Sequence, residues 1–488
     1  MIALTFAQKE NIGFQYVLEA LQPCSVYGQA RARELTPMGP EDKPELLRQL
    51  GNIQRVLDGA DTCKPALDAL LRGLMTMKMV RSTAEKCLEA PLNEIELFEI
   101  KRFLLRSFEI YPHWCKIQPV LQLEGIHLID TTGALDILDP EKNRVASFFI
   151  GDSHNPALQS LRAEKRRLEE LLRQASAEEK EELLARRSHI VSLEEQEESR
   201  IRSQLSEALR PHISALLQNM QAIADLDLTV EKARLARRYG GTMPTITKET
   251  LEMEDMVNPR IQDLLQSQGK AFTPVSIALN KGATVITGAN MGGKSVALKT
   301  VALNILLIQC GFFPFAKKAS APLFDSIHIL SEDLENVDRG LSSFGGEMVR
   351  FNEVIRQLPQ EFAFLLLDEF ARGTNPDEGA AIVQAVTQYL NRQNAITVLA
   401  THYDHVASHA NAHYQVIGLR SLDMAALQQE LSQLDGQTGM QRISRYMNYG
   451  LYRVLDQQDC PRDALNICRL LGTAPEILDL MEKNYRIP

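Results

Sequence analysis

From Glu10 to about Phe108 the apolar residues recur three and four positions apart. They run Ile12, Tyr16, Leu18 and Leu21, then Leu46, Leu47, Leu50, Ile53, Val56 and Leu57, then Ile95, Leu97, Ile100, Phe103 and Leu104. That period places them on one face of successive helices, so the sequence predicts packing helices here. Turn formers gather at Pro23 to Gly28 and Pro37 to Pro44, and the segment Ile126 to Leu138, with Asp130-Thr131-Thr132-Gly133, separates this part from the next. Between Asn155 and Met220 the chain becomes rich in Glu, Arg and Leu, with Leu158, Leu161, Leu168, Leu172, Leu183, Leu184, Ile190, Leu193, Ile201, Leu205 and Leu209 in helical register. Two long helices folded back near Ala175 to Glu182 account for it, an arm on a helical body.

The period changes near Gly240, where Gly240-Gly241, Pro244 and Pro259 mark the start of a strand-and-loop region. Ala283–Thr287, Leu323–Leu330, Phe362–Leu367 and Ala395–Ala400 are short, nearly continuous apolar runs of strand length. Helical patterns at Ser295–Cys310, Glu347–Gln357 and Gly379–Asn391 lie between them. Such alternation predicts a mostly parallel sheet covered by helices, an α/β region after an all-α one.

The length of 488 residues fits about three domains, and 44% hydrophobic with 24% charged residues is ordinary for a folded chain. Only 6% are aromatic and Trp114 is the one tryptophan, so broad base-stacking platforms are not advertised. The formal charge of -10 argues against indiscriminate binding to nucleic acid or anionic membrane. Over 155–210 there are 11 Lys and Arg against 12 Asp and Glu, whereas an arm that grips DNA should carry a basic excess. No signal-like start and no run of 18 apolar residues occurs. The seven scattered cysteines contain no C-x-x-C pair, so reduced thiols and a cytoplasmic location are expected.

Candidate chemistry begins after the run Ala283–Thr287, at Gly288-Ala289-Asn290-Met291-Gly292-Gly293-Lys294-Ser295. This matches G-x-x-x-x-G-K-[ST] between a strand and a helix, the context in which glycines let backbone N–H groups wrap a polyphosphate. Lys294 would reach the β- and γ-phosphates and the Ser295 hydroxyl would ligate Mg²⁺. About 70 residues on, Phe364-Leu365-Leu366-Leu367 ends in Asp368-Glu369. Carboxylates at the end of a central parallel strand face the ligand crevice, so Asp368 would hold Mg²⁺ through its water shell and Glu369 would activate the attacking water. His405, His409 and His413 follow His402 at helical spacing, but only Asp404 accompanies them, so they read as a solvated helical face rather than a metal site.

Together with Gly340-Leu341-Ser342-Ser343-Phe344-Gly345-Gly346-Glu347-Met348, Leu367-Asp368-Glu369-Phe370-Ala371-Arg372-Gly373-Thr374-Asn375-Pro376-Asp377-Glu378-Gly379 and Ala400-Thr401-His402-Tyr403, the phosphate loop resembles the ATPase domain of the MutS family. Ile12–Leu35 and Leu226–Tyr239 are similar to the start and end of that family's helical lever. The resemblance implies an ABC-type, P-loop ATPase using ATP and Mg²⁺, with two sites formed between subunits facing head to tail. Gly288 through Ser295 would bind nucleotide, Ser342 would meet the γ-phosphate of the opposite subunit, and His402 would be the switch histidine. Asn375 to Glu378 would be the loop that crosses the dimer. The implied domains are a helical core or lever over 1–154, an arm over 155–220, return helices of the core over 221–264, the ATPase over 265–425 and a C-terminal helical dimerisation element over 426–488.

The chain departs from the family as well. It has no room for an N-terminal mismatch-reading domain, and its one Phe-x-Glu string, Phe351-Asn352-Glu353, falls in a helix of the ATPase part. Leu341 stands where mismatch-repair members carry Arg, no nuclease-type extension is expected, and Ala464–Leu471 and Glu476–Lys483 read as short terminal helices. The expectation is a homodimeric or heterodimeric ATP-driven switch, DNA-associated by family likeness, with no membrane partner. The alternative is a protein-remodelling ATPase, because Thr401-His402-Tyr403-Asp404 and His413-Tyr414-Gln415-Val416-Ile417-Gly418-Leu419 resemble reactivating factors of adenosylcobalamin-dependent aminomutases.

Overall fold

The computed structural model describes residues 4–150, 156–288, 293–331, 343–403, 405–418, 448–455, 468–469 and 473–485. The chain divides into two compact units, one of residues 22–34 and 55–231, the other of 1–21, 35–54 and 232–488.

Every described element of the first unit is helical. Helix Lys64–Leu74 buries Leu67, Leu70 and Leu74 against the long helix Glu94–Leu121, and the approach is close enough that a Cβ on Gly73 would lie 2.4 Å from Ile110 Cγ2. The long helix starts at Asn93, whose side chain accepts from the Glu96 N–H at 2.9 Å while Glu96 accepts from the Asn93 N–H at 2.8 Å. This reciprocal cap satisfies two of the N–H groups a helix start leaves open. Segment 22–34 is pinned through Asp227, which is 1% exposed. Its carboxylate accepts from the Ser25 N–H at 2.7 Å, the Ser25 hydroxyl at 2.6 Å and the Cys24 N–H at 3.0 Å.

The arm is a hairpin of helices Pro156–Gln174 and Ala177–Leu209. The reversal is shorter than the sequence suggests. Ser176 caps the second helix with Glu179, so Ala177 to Glu182 already lie inside it. Leu158 and Ile201 are buried in one small cluster. The charged residues pair across the two helices: Arg162 with Glu194 at 3.0 Å and Glu198 at 2.8 Å, Lys165 with Glu194, and Arg187 with Glu169 at 2.8 Å.

The second unit holds two sheets. Six strands, in the order β10-β9-β4-β8-β7-β6, comprise β4 (Gly282–Thr287), β6 (Ser326–Ser331), β7 (Ala363–Asp368), β8 (Ala395–Ala400), β9 (Ala412–Gly418) and β10 (Asn448–Val454). β9, β4, β8, β7 and β6 are parallel, and β10 lies antiparallel on β9. β4, β7 and β8 are buried at every residue, as strands covered on both faces must be, which is why they read as continuous apolar runs. At the other edge the Ile329 carbonyl on β6 accepts from Gln8 Nε2 at 3.0 Å, from helix Phe6–Asn11. Helices Lys294–Gln309, Ser343–Gln357 and Pro376–Leu390 connect the strands. The α/β class and the preceding long helices are therefore as the pattern predicts.

The second sheet was not expected as such. β1 (Thr245–Ile246), β2 (Leu251–Met256), β3 (Val275–Leu279) and β5 (Lys318–Ala321) pair in the order β1-β5-β2-β3. So 221–264, expected to return as helices, is helical to Tyr239 and at Pro259–Ser267 but extended between. Leu251, Met253 and Met256 are buried while Glu252 and Asp255 face out. The histidine face is likewise corrected. Val406–His409 is a single 3₁₀ turn, the backbone turns extended at Ala410, and His413 sits in β9 opposite Val285. The β-branched and aromatic run Tyr414 to Ile417 favours the strand over a helix. Among the described residues no group of three His, Cys, Asp or Glu could hold a metal ion, and no helix is long and apolar enough to cross a membrane.

Candidate functional site

The site lies where β4, β7 and β8 end. β4 runs into Gly288, at φ 141°, and Gly293, at φ 80°, opens helix Lys294–Gln309 without a side-chain cap. Both angles favour glycine, and uncapped N–H groups at a helix start, together with the helix dipole, are suited to an anion. Lys294 is 3% exposed; its Nζ donates to the Gly288 carbonyl at 2.7 Å and lies 3.9 Å from Glu369 Oε1. The Ser295 hydroxyl donates to Asp368 Oδ1 at 3.1 Å. A hydroxyl beside one carboxylate is a hard oxygen pair, and Mg²⁺ typically takes one or two such protein ligands with phosphate and water completing its shell, so these residues fit it.

Strand register sets this geometry. Asp368 pairs with Ala400 on β8, which pairs with Ile286 on β4, so strand ends from distant sequence converge. The Glu369 N–H donates to the Ala400 carbonyl at 3.0 Å and Glu369 Oε2 accepts from Arg372 Nη1 at 2.8 Å. Beyond β7 the backbone is left-handed at Glu369 (φ 53°) and at Ala371 (φ 62°), conformations that cost a non-glycine residue about 1–2 kcal/mol each.

Next to the site, Tyr403 donates to the Ala371 carbonyl at 3.0 Å. Burial, with the Glu347 and Glu369 carboxylates adding to it, pushes its phenol pKa upward, so it stays a donor. At the foot of the phosphate loop Thr287 Oγ1 and His413 Nε2 are 2.7 Å apart, and burial lowers the His413 pKa, favouring neutral imidazole.

The structure thus brings together Gly288, Gly293, Lys294, Ser295, Asp368 and Glu369. His402 follows β8, exposed, its ring 4.6 Å from that of Tyr403. Asn375 caps helix Pro376–Leu390 by accepting from the Asp377 N–H at 3.0 Å. Ala289, Asn290, Met291, Gly292, Leu341, Ser342 and Asp404 lie outside the described residues. Sequence reasoning assigned nothing to Glu347, Tyr403 or His413 at this site, because none carries a local signal of its contact.

A strand running into Gly288, a helix opening after Gly293 that presents Lys294 and Ser295, and an Asp-Glu strand end beside them have the layout of a P-loop nucleotide site. Residues 284–469 match MutS domain V, the ATPase domain of the MutS proteins. Among curated relatives, the Endonuclease MutS2 of Bacillus cytotoxicus is 32% identical over 228 residues, 46% of this chain and 28% of that protein. The Endonuclease MutS2 of Symbiobacterium thermophilum is 29% identical over 294 residues, 59% of this chain and 34% of that protein. That of Geobacillus thermodenitrificans is 35% identical over 214 residues, 43% of this chain and 26% of that protein. The matches thus span about a third or less of these relatives' length.

Proposed function

We propose that the chain is a Mg²⁺-dependent ATPase acting as a dimeric switch, with ATP closing two ATPase domains and hydrolysis releasing them. The observation that carries this reading is the buried Lys294 ammonium beside the Gly288 carbonyl and Glu369, with Ser295 on Asp368. Lys294 exchanges its carbonyl partner for phosphate oxygens when ATP enters, a charge-assisted gain. Ser295 and Asp368 would hold Mg²⁺, which when bound would offset phosphate charge. Glu369, held by Arg372 and near Lys294, orients water for attack and takes its proton. His402, exposed beyond β8, senses the γ-phosphate, and Ser342 of one subunit completes the site of the other.

The switch acts on nucleic acid, DNA by family likeness, without reading mismatches. Phe351, the aromatic of the one Phe-x-Glu string, is 6% exposed with its ring 4.9 Å from that of Phe370, so it is committed to the core.

One observation favours a second reading, remodelling of a protein such as a cobalamin-dependent enzyme. The arm's Arg162, Lys165 and Arg187 are engaged by Glu194, Glu198 and Glu169 of the same hairpin. Steady-state ATP turnover, alone and with duplex, branched and single-stranded nucleic acids at two salt concentrations, separates the two. Salt-dependent binding that changes turnover supports the nucleic-acid switch. Turnover and binding indifferent to every nucleic acid support remodelling, and absent turnover refutes both.

A further inference from the structure

Glu369 sits in a turn gripped by two side chains that belong neither to the phosphate loop nor to the acidic strand end. The Ala371 N–H donates to Glu347 Oε2 at 3.0 Å, and the Ala371 carbonyl accepts from Tyr403 Oη at 3.0 Å. Glu347 lies on helix Ser343–Gln357, and Tyr403 lies three residues beyond β8. Phe370, 1% exposed, packs its ring against Phe351, one turn along the helix from Glu347. Helix Pro376–Leu390 leaves no slack, since a Cβ on Gly379 would lie 2.3 Å from Tyr403 Oη and 3.0 Å from the Ala371 carbonyl oxygen.

Phe370 fixes where the turn is, but a buried ring does not dictate how the peptides on either side are rotated. Glu369 and Ala371 are both left-handed, which neither residue type prefers, and a turn free to rotate would return to negative φ. Rotation at Glu369 would swing its carboxylate away from Lys294. Bonds to both polar groups of Ala371 oppose that rotation.

We propose that Glu347 and Tyr403 are positioning residues for ATP hydrolysis, holding the Ala371 N–H and C=O so that Glu369 keeps the conformation that faces the phosphate loop. The inference rests on the reading of Glu369 as the water-activating carboxylate. It also gives helix Ser343–Gln357, which follows Ser342 directly, a polar connection to the hydrolytic residue of its own subunit.

The test uses the full chain as wild type, Glu347→Ala, Glu347→Gln, Tyr403→Phe and Glu369→Gln. Glu347→Ala should lower kcat about tenfold or more with KM changed less than about twofold, because substrate binding is left intact. Glu347→Gln should recover most of that loss, since its amide oxygen accepts from the same N–H. Tyr403→Phe should lower kcat by a smaller factor. Wild-type kcat in both Glu347→Ala and Tyr403→Phe, or Glu347→Gln as impaired as Glu347→Ala, would overturn the proposal. Hydrogen–deuterium exchange of 369–375 in nucleotide-free protein decides it independently: exchange should rise in Glu347→Ala and return in Glu347→Gln, and unchanged exchange overturns the grip. Wild-type turnover no higher than that of Glu369→Gln would instead refute the ATPase reading, with the exchange result still deciding the grip.

Discussion

Replacing Lys294 by Met separates nucleotide binding from folding. Met fills most of the lysine stem's volume and removes the ammonium, which lies 2.7 Å from the Gly288 carbonyl and 3.9 Å from Glu369. Two charge-assisted bonds to phosphate at about 1.5–3 kcal/mol each would be lost, about 3–6 kcal/mol together. That weakens the Kd for ATP by about 10²–10⁴. Without nucleotide the accounting differs. The Gly288 carbonyl loses a donor, but a buried ammonium no longer has to be desolvated, and Glu369 keeps Arg372 at 2.8 Å. These terms oppose one another, so the net change in apo stability should be about 1 kcal/mol or less. Calorimetric titration with ATP and Mg²⁺, beside urea unfolding of the nucleotide-free protein, measures both. ATP affinity within about threefold of wild type would refute the assigned cradle, and a collapse of apo stability would show Lys294 to be a structural support instead.

Glu369→Gln should keep ATP affinity, lower turnover by about 10²–10⁴, and accumulate an ATP-loaded dimer; single-turnover kinetics and sedimentation check this, and unchanged turnover would refute the role. Asp227→Ala leaves the N–H groups of Ser25 and Cys24 and the Ser25 hydroxyl without their carboxylate, and should cost about 3–5 kcal/mol, read as a lower urea midpoint at constant m. His413 and His328 both have pKa values lowered from 6.5, in each case chiefly by burial. Below 6.5 the unfolded chain binds more protons there than the folded one, so their contribution is complete above 6.5 and is lost as pH falls from 6.5 through their folded values. The urea midpoint should therefore be lower at about pH 5.5 than at about pH 7.5, with a smaller difference in His413→Asn; an equal difference would remove His413 from the account.

What could be read in the sequence followed burial. β4, β7 and β8 are buried at every residue and lie within a residue or so of the predicted runs, because a strand covered on both faces carries few polar positions to disguise it. Leu251–Met256 falls in the region read only as strand and loop; with three acids among six residues, its half-exposed strand did not stand out as an apolar run. The histidines misled because their spacing fits a helix, while the strand they enter is fixed by pairing with β4 far upstream. At the site, Lys294, Ser295, Asp368 and Glu369 were legible as motifs whose chemistry depends on residue type and context. Glu347 on the Ala371 N–H and Tyr403 on its carbonyl were not, because a side chain meeting a backbone group 24 or 32 positions away leaves no periodic trace.

The two borders of the six-stranded sheet bear on how the chain avoids sticking to itself while it folds. Toward one border β10 lies antiparallel on β9, and at the other Gln8 engages the Ile329 carbonyl. An unprotected strand such as Ser326–Ser331, with Ile327, Ile329 and Leu330 in six residues, is a template for aggregation. During synthesis the guard at β6 has already emerged when that strand appears, whereas β9 waits for residues 448–454 before its free side is covered. The vulnerable interval in biogenesis is therefore the one between β9 and β10, and a ribosome stalled within it would hold out a chain with an open, pairing-competent flank.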